Sequence, residues 1–205
     1  MTEEGALEDL PRLALRVLDA YADAGLKAAL GGGLAFNLWV VPRVTKDIDV
    51  NVFAPEEEHG RVLAVLERLG CAASREGGPW DDARRAEFLR RARDGEVAVA
   101  WHGDVRLDVF VPSIPFYDEA ERTLREVTFP DGRARLVLSP EALAVFKLLF
   151  FRDKDLGDLR RLVAVQAEAL DRAWVRDQVV GMVGEDDERV AAWDEIVRRH
   201  GPPAA

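Results

Sequence analysis

Residues 46–53, with the sequence KDIDVNVF, limit the possible folds most strongly because polar and apolar side chains alternate from Asp47 to Val52. A period of two is that of a strand with one face in a core and the other face outside it. The alternation predicts a strand whose polar face carries Asp47, Asp49 and Asn51. Two carboxylates about 7 Å apart on one face repel each other unless a cation lies between them, and a hard divalent ion such as Mg²⁺ suits that place.

A glycine run precedes this strand. Residues 26–30 (LKAAL) are apolar enough for a short strand, residues 31–33 are three glycines, and residues 34–39 (LAFNLW) have helical composition. A strand, a glycine turn and a helix form a layout that binds phosphate, because glycine lets backbone N–H groups approach closely and the helix N-terminus carries about half a positive charge. A plain tight turn and a chance D-x-D are the alternative explanations, but the order and spacing of the two motifs favour a functional site.

Together these motifs resemble the nucleotidyltransferase superfamily with the DNA polymerase β-like fold, whose signature is a Gly-Gly or Gly-Ser helix start followed by D-x-D. The form GGLA followed by RVTKDIDV is similar to the minimal bacterial enzymes that include AbiEii-type toxins of type IV toxin–antitoxin systems. The resemblance implies that Gly32 and Gly33 bind the triphosphate and that Arg43 and Thr45 occupy the R-x-[ST] positions of the nucleotide site. Leu34 departs from the family pattern, which commonly has a serine or threonine hydroxyl there.

The resemblance also implies a third carboxylate on a neighbouring strand, beside the metal-binding pair Asp47 and Asp49. Residues 105–111 (VRLDVFV) alternate so that Asp108 lies on the polar face, where it can join that pair. The competitor, Asp104, lies in the preceding turn, where turn preference alone explains an aspartate. Three carboxylates around two Mg²⁺ ions imply transfer of a nucleoside monophosphate from an NTP to an acceptor hydroxyl, with release of pyrophosphate.

A second similarity to this family lies in residues 138–159. Ser139 and Pro140 predict the start of a helix, and Lys147 follows in a segment so apolar that its charge requires a partner. The resemblance implies that Lys147 binds the nucleotide phosphates. A lysine that extends to solvent at the helix edge is the alternative explanation. Asp158 has three open roles: a partner for Lys147, a nucleotide contact, or an acid on the helix surface.

The predicted fold class is α/β (α+β), a nucleotidyltransferase fold with a mixed central sheet and flanking helices, followed by a C-terminal helical bundle. We expect a catalytic domain over residues 1–138, a helical region over 139–200 that closes the nucleotide cleft, and a flexible tail over 201–205. Two antiparallel hairpins are predicted, the second around an Asp-Gly turn. The expected helices are 7–24, 55–69, 81–93 and everything from residue 139; the expected hairpins are 96–101 with 105–111, and 125–129 with 134–138.

Composition narrows the function classes. The N-terminal residues MTEEGALEDLPRLA are acidic, and no stretch approaches the roughly 18 uninterrupted apolar residues of a membrane span, so a cytoplasmic protein is expected. The single cysteine, Cys71, excludes an internal disulfide and is expected to serve packing. The three histidines are scattered, and no histidine-based triad or zinc cluster can be assembled from them.

The acceptor is left open by the sequence. A net charge of −10 disfavours a surface that attracts nucleic acid everywhere, although five arginines between residues 84 and 93 offer a local patch. A solvated helix face explains those arginines equally well. The resemblance to toxins implies the 3′ end of a tRNA as acceptor and a cognate antitoxin protein as partner. The resemblance to aminoglycoside and lincosamide modifying enzymes implies a small hydroxylated molecule instead, and a non-catalytic binding module is the remaining alternative.

Overall fold

The computed structural model describes residues 3–201, with side chains from Leu10 onward. Within that range six strands form one mixed sheet in the order β3-β4-β2-β1-β6-β5. Residues 202–205, most of the predicted tail, lie outside the described part of the chain. The strands are β1 Ala28–Leu30, β2 Asp47–Val52, β3 Ala98–His102, β4 Val105–Phe110, β5 Arg125–Thr128 and β6 Ala134–Val137.

Both predicted hairpins are confirmed, since β3 pairs with β4 and β5 with β6 in antiparallel register. The central strand β2 pairs antiparallel with β1 on one side and parallel with β4 on the other. β1 continues to β6 in parallel register. This order brings β2 and β4 together, although more than fifty residues separate them in the chain.

The α-helices of the described residues fall where the sequence predicts them, and one further helix, Phe116–Arg122, was not predicted. The predicted helix 55–69 begins as a 3₁₀ turn over Glu56–Glu58 and continues as an α-helix, and a second 3₁₀ turn spans Ala167–Ala169. No described helix is long and apolar enough to cross a membrane. The helices are α1 Glu3–Asp23, α2 Gly32–Trp39, α3 His59–Arg68, α4 Asp82–Arg93, α5 Phe116–Arg122, α6 Pro140–Phe150, α7 Asp153–Gln166, α8 Arg172–Val183 and α9 Glu188–His200.

The alternation in β2 and β4 produces the predicted buried face. Ile48, Val50 and Leu107 have no exposed surface, and helix α1 packs against β1, β2 and α3. Burying such side chains stabilises the fold by about 1.5–3 kcal/mol each, which fixes the register of both strands. The same register determines which side chains lie on the opposite face, and these include the aspartates. Asn51 differs from Asp47 and Asp49 in being buried, with 4% of its surface exposed.

The chain divides into two compact units. The first contains the residues up to Ala35 together with Arg43–Val137, and the second contains Phe36–Pro42 together with the residues from Leu138 onward. The boundary therefore falls inside α2 as well as before α6. The assignment of residues 1–138 to catalysis and 139–200 to closure of the nucleotide cleft stays a prediction.

The C-terminal unit is built on α6, whose start follows the predicted capping. The Ser139 hydroxyl accepts a hydrogen bond from the Ala142 N–H at 3.0 Å, and a proline occupies the first turn. Helix α6 packs on α7 and α8, and α7 and α8 each pack on α9. Leu148, Leu159 and Trp193 are among the fully buried side chains of this bundle.

Candidate active site

The glycine run and the D-x-D strand are in direct contact. The Gly31 N–H donates to the Asp49 carbonyl oxygen at 2.9 Å, and Gly32 opens α2 with a φ of +51°. A Cβ at residue 32 would overlap the Asp49 carboxylate. Glycine is therefore required here twice, by the left-handed backbone and by the lack of space. The predicted phosphate-binding turn and the predicted metal ligand Asp49 are therefore packed against each other.

The second glycine of the motif is packed against Thr45. A Cβ at Gly33 would lie 2.6 Å from Thr45 Oγ1, and that hydroxyl donates a hydrogen bond of 2.7 Å to Asp47 Oδ1. Thr45 thus links the start of α2 to the first aspartate of the D-x-D pair. Its distance to Asp47 indicates that it orients this carboxylate.

Asp108 lies on the strand that the sequence predicted for it. β2 and β4 run parallel, with Asp49 opposite Asp108 and Asp47 opposite Arg106. Residues directly opposite on neighbouring strands share a face, so the three aspartates stand on one side of the sheet. Asp108 is largely buried, with 13% of its side chain exposed, and it accepts a hydrogen bond of 2.6 Å from Arg106 Nε.

The surroundings of Asp108 raise the pKa of its carboxyl group above the usual value. Burial raises its pKa, the hydrogen bond and charge of Arg106 oppose the rise, and the nearby Asp47 carboxylate adds to it. The competitor Asp104 lies in the exposed turn between β3 and β4, where its carboxylate pairs with Arg75 at 3.3 Å.

The chemistry of these residues fits a divalent metal. The three aspartates supply hard oxygen donors on adjacent parallel strands, and Mg²⁺ prefers such donors. The Gly32 turn packs directly against one of these carboxylates, that of Asp49. Among the described residues no three His, Cys, Asp or Glu side chains already converge as a metal-binding group. Asp47 and Asp108 are instead hydrogen-bonded to Thr45 and Arg106. Binding of an ion would replace these contacts.

Arg43 is the other member of the R-x-[ST] pair. Its Nη1 donates to the carbonyl oxygen of the next residue, Val44, at 3.3 Å, and the side chain is partly exposed. Its predicted nucleotide contact stays a prediction.

In the C-terminal unit, Lys147 is buried, with 7% of its surface exposed, so it does not extend to solvent at the helix edge. Its ammonium donates to Asp158 Oδ2 at 2.6 Å and to Asp155 Oδ1 at 3.4 Å, and it lies 5.0 Å from the centre of the Phe36 ring. Asp158 is buried too, so it is not a surface acid. The structure thus shows the pairing that the sequence offered as one possibility, and the phosphate role of Lys147 stays a prediction.

Sequence reasoning overlooked Asp155, which is 1% exposed. It accepts hydrogen bonds from the backbone N–H and the Nε of Arg152, at 3.3 and 2.6 Å, at the start of α7. An acid at the third position of a helix is a capping signal, and it was available in the segment RDKD. Its contact with Lys147 could not have been read from that signal.

The five arginines of α4 are all ion-paired with acids, which favours the solvated helix face over a patch open to phosphate. Arg85 pairs with Glu67 at 2.9 Å and Arg93 with Glu56 at 3.2 Å. Arg90 contacts three acids, Glu87, Asp94 and Glu96, at 2.7–3.0 Å. The remaining two arginines, Arg84 and Arg91, have longer carboxylate contacts of 3.8 and 3.6 Å, to Asp81 and Glu96.

Solved structures share this fold. The antibiotic-resistance factor ANT(2″)-Ia, determined in solution, is 20% identical and superposes with a TM-score of 0.54 over 92% of this chain and 97% of its own. An antigenic nucleotidyltransferase-like protein from Paracoccidioides brasiliensis is 16% identical, with a TM-score of 0.52 over 97% of this chain and 90% of its own. The predicted fold class is confirmed by this likeness and by the mixed sheet. No curated protein shows significant sequence similarity to the chain.

A family model spans most of the chain. It matches residues 16–196, a range that includes the glycine run, all three aspartates, Lys147 and Asp158. The model is described as nucleotidyl transferase AbiEii toxin, type IV toxin–antitoxin system. The resemblance inferred from GGLA and RVTKDIDV is thereby confirmed. The chain is a nucleotidyltransferase that belongs to the AbiEii family.

Proposed function

We propose that this nucleotidyltransferase uses Mg²⁺ to transfer a nucleoside monophosphate from an NTP to a hydroxyl at the 3′ end of an RNA, with tRNA as the first candidate. The observation that carries the proposal is the contact between the Gly32 turn and Asp49, with Asp108 directly opposite Asp49 on the neighbouring strand. That arrangement packs the Gly32 turn against one of three aspartates that share a face of the sheet, which supports the proposal.

In this proposal the bond from the acceptor oxygen to the α-phosphorus forms while the bond from the α-phosphorus to the bridging oxygen breaks, and pyrophosphate leaves. Two Mg²⁺ ions, when bound, would supply charge neutralisation for the triphosphate and activation of the hydroxyl. Asp47, Asp49 and Asp108 would hold them. The backbone at Gly32 and Gly33 would orient the triphosphate, helped by the partial positive charge at the start of α2.

Asp108 is the group best placed to receive the proton of the acceptor hydroxyl. Burial raises the pKa of this carboxyl group, and the hydrogen bond and charge of Arg106 oppose the rise. Leu34 cannot donate a hydroxyl to the phosphates, so we expect the backbone N–H groups to carry that part of the binding. Arg43 and Lys147 are the cations we propose for the remaining phosphate charge.

The RNA acceptor rests on the family, whose members are toxins of type IV systems, and it brings with it a cognate antitoxin protein as the proposed partner. The net charge of −10 instead favours a cationic small molecule such as an aminoglycoside. The fold shared with ANT(2″)-Ia makes that acceptor the second candidate to test.

The test is incubation of the wild type and of Asp47→Ala/Asp49→Ala with Mg²⁺ and each α-labelled NTP in turn, once with total tRNA and once with an aminoglycoside panel. Label on tRNA that the double variant does not transfer supports the proposal and identifies the nucleotide. Label on a drug instead establishes the small-molecule reaction. No transfer to either, with intact NTP binding, contradicts the proposal and favours a binding module. For the toxin role, overexpression should slow growth, and Asp49→Ala should restore it.

A further inference from the structure

A pocket of about 300 Å³ lies between helix α4, the segment that precedes it and strand β3. Its apolar walls include Trp80, Phe88 and Val99, and Ala83 stands at its exposed side. The Trp80 and Phe88 rings meet edge to face, with centres 5.7 Å apart. Trp80 Nε1 donates to the Cys71 carbonyl oxygen at 2.7 Å, which fixes the indole. The pocket is thus a preformed aromatic site.

The pocket adjoins the candidate active site on the same face of the sheet. Val99 is paired directly with Asp108 in the β3–β4 register, and directly paired residues lie on the same face about 5 Å apart. The side chain of Val99 therefore lies between the aromatic walls of the pocket and Asp108. The Arg91 guanidinium also lines the pocket, and its charge is among those that oppose the burial-driven rise in the pKa of Asp108.

The groups that line the pocket favour an occupant with a flat apolar part over a cation. Arg84 and Arg91 both line it, and both are oriented by hydrogen bonds to backbone carbonyl oxygens, at 3.0 Å to Pro79 and 2.8 Å to Val97. Glu87, an acid in the lining, is neutralised by two hydrogen bonds of 2.9 Å from Arg90. A cationic aminoglycoside would meet two arginines here and only one carboxylate, which is already paired with Arg90.

We propose that this pocket binds the base of the terminal nucleoside of the RNA acceptor, so that its ribose hydroxyl lies beside Asp108. Aromatic walls and guanidinium planes are the groups on which unpaired RNA bases stack. A volume near 300 Å³ is at the small end of ligand pockets and suits one nucleoside rather than a folded helix. This proposal rests on the proposed function, because it names the part of the acceptor that this site recognises.

The test uses Ala83→Trp, which fills the pocket from its exposed side, and Ala86→Trp as the matched control. Ala86 is exposed on the same helix and does not line the pocket. Binding of a fluorescein-labelled single-stranded RNA is measured by anisotropy without NTP, against the same RNA with an abasic 3′-terminal ribose. For the wild type and Ala86→Trp we expect the intact RNA to bind about tenfold more tightly than the abasic one. In Ala83→Trp this difference should vanish.

Binding and transfer can fail separately. A base preference that Ala83→Trp removes would support the pocket even if no nucleotide is transferred, in which case the proposed reaction alone is wrong. Equal affinity of the wild type for the two RNAs, or a base preference that survives in Ala83→Trp, would overturn the pocket whatever the transfer assay shows. Tobramycin binding that Ala83→Trp abolishes and Ala86→Trp retains, without any base preference, would also overturn it.

Discussion

Gly32 and Asp49 are packed so closely that no side chain can stand at residue 32 without displacing the Asp49 carboxylate. The contact joins the glycine turn to the central strand of the sheet, and it is reinforced by the hydrogen bond from Gly31 to the Asp49 backbone. It brings together a glycine motif and a D-x-D motif that thirteen residues separate in the chain.

Gly32→Ala should therefore abolish nucleotide transfer. The new methyl group would push the Asp49 carboxylate out of place, and a φ of +51° costs an alanine about 1 kcal/mol in addition. We expect a loss of transfer rate of at least about 100-fold, since misplaced charge at a transfer centre is that costly. The measurement is the initial rate of label transfer.

Gly60→Ala is the matched control for that substitution. Gly60 lies inside α3, and a Cβ there meets nothing within 4 Å. The rate should stay within twofold of wild type and the free energy of unfolding should rise by about 0.5–1 kcal/mol. Loss of activity in both variants would show that the contact with Asp49 is not the reason.

Arg106→Gln should tighten Mg²⁺ binding. The Arg106 guanidinium is hydrogen-bonded to Asp108 and lies across from Asp47, so its positive charge competes with a metal ion. Removal of one charge at this distance should raise the affinity about five- to tenfold after solvent screening. Isothermal titration of Mg²⁺ measures the change. The control is Arg75→Gln, which breaks the Arg75–Asp104 pair at the turn of the same hairpin and should leave the Mg²⁺ affinity unaltered. An equal effect of both variants would contradict a local role of Arg106.

The sequence predicted the sheet and its aspartates because their signals are local. Alternation over Asp47–Val52 and Val105–Phe110 fixes which side chains are buried, and the opposite face follows from strand geometry. The expectation that the Asp108 strand neighbours the D-x-D strand came from the resemblance, and the parallel register of Asp49 with Asp108 emerged only from the structure.

Other features could not be predicted. Helix α5 has seven residues, too few for a periodic signal, and it is held by the burial of Phe116, Tyr117 and Ala120. The ion pairs of the α4 arginines and the aromatic pocket depend on residues that come together only in the folded chain. The same is true of the contact between Asp155 and Lys147, which completes a triad with Asp158, the partner that the sequence did offer.

Lys147→Met should destabilise the protein by about 3 kcal/mol, because two buried carboxylates lose a cation that they share. For a chain of this size the melting temperature should fall by about 6–12 °C. Lys154→Met, on the exposed side of α7, is the control and should change stability by less than about 0.5 kcal/mol. A melting temperature within 2 °C of wild type for Lys147→Met would refute the structural importance of the triad. Weakened NTP binding well below the melting temperature would separately support the phosphate role.

The buried thiol of Cys71 gives a pH dependence. Burial raises its pKa from 9.0 to about 11, so the folded state disfavours the thiolate. The stability that this group provides is complete below pH 9, where the thiol is protonated in both states, and is lost as the pH rises towards 11. At pH 8 we expect iodoacetamide to modify Cys71 at least tenfold more slowly than in 6 M guanidinium chloride. Equal rates in native and denatured protein would contradict the buried, protonated thiol.

The most direct test of the central account compares two aspartates of one hairpin. Asp108→Asn and Asp104→Asn carry the same change, four residues apart, but only Asp108 faces Asp49. The account predicts that Asp108→Asn lowers the rate of Mg²⁺-dependent label transfer from NTP to the acceptor by about 100- to 1,000-fold, while Asp104→Asn stays within twofold of wild type. Transfer that survives in Asp108→Asn, or that is lost in Asp104→Asn instead, would contradict it.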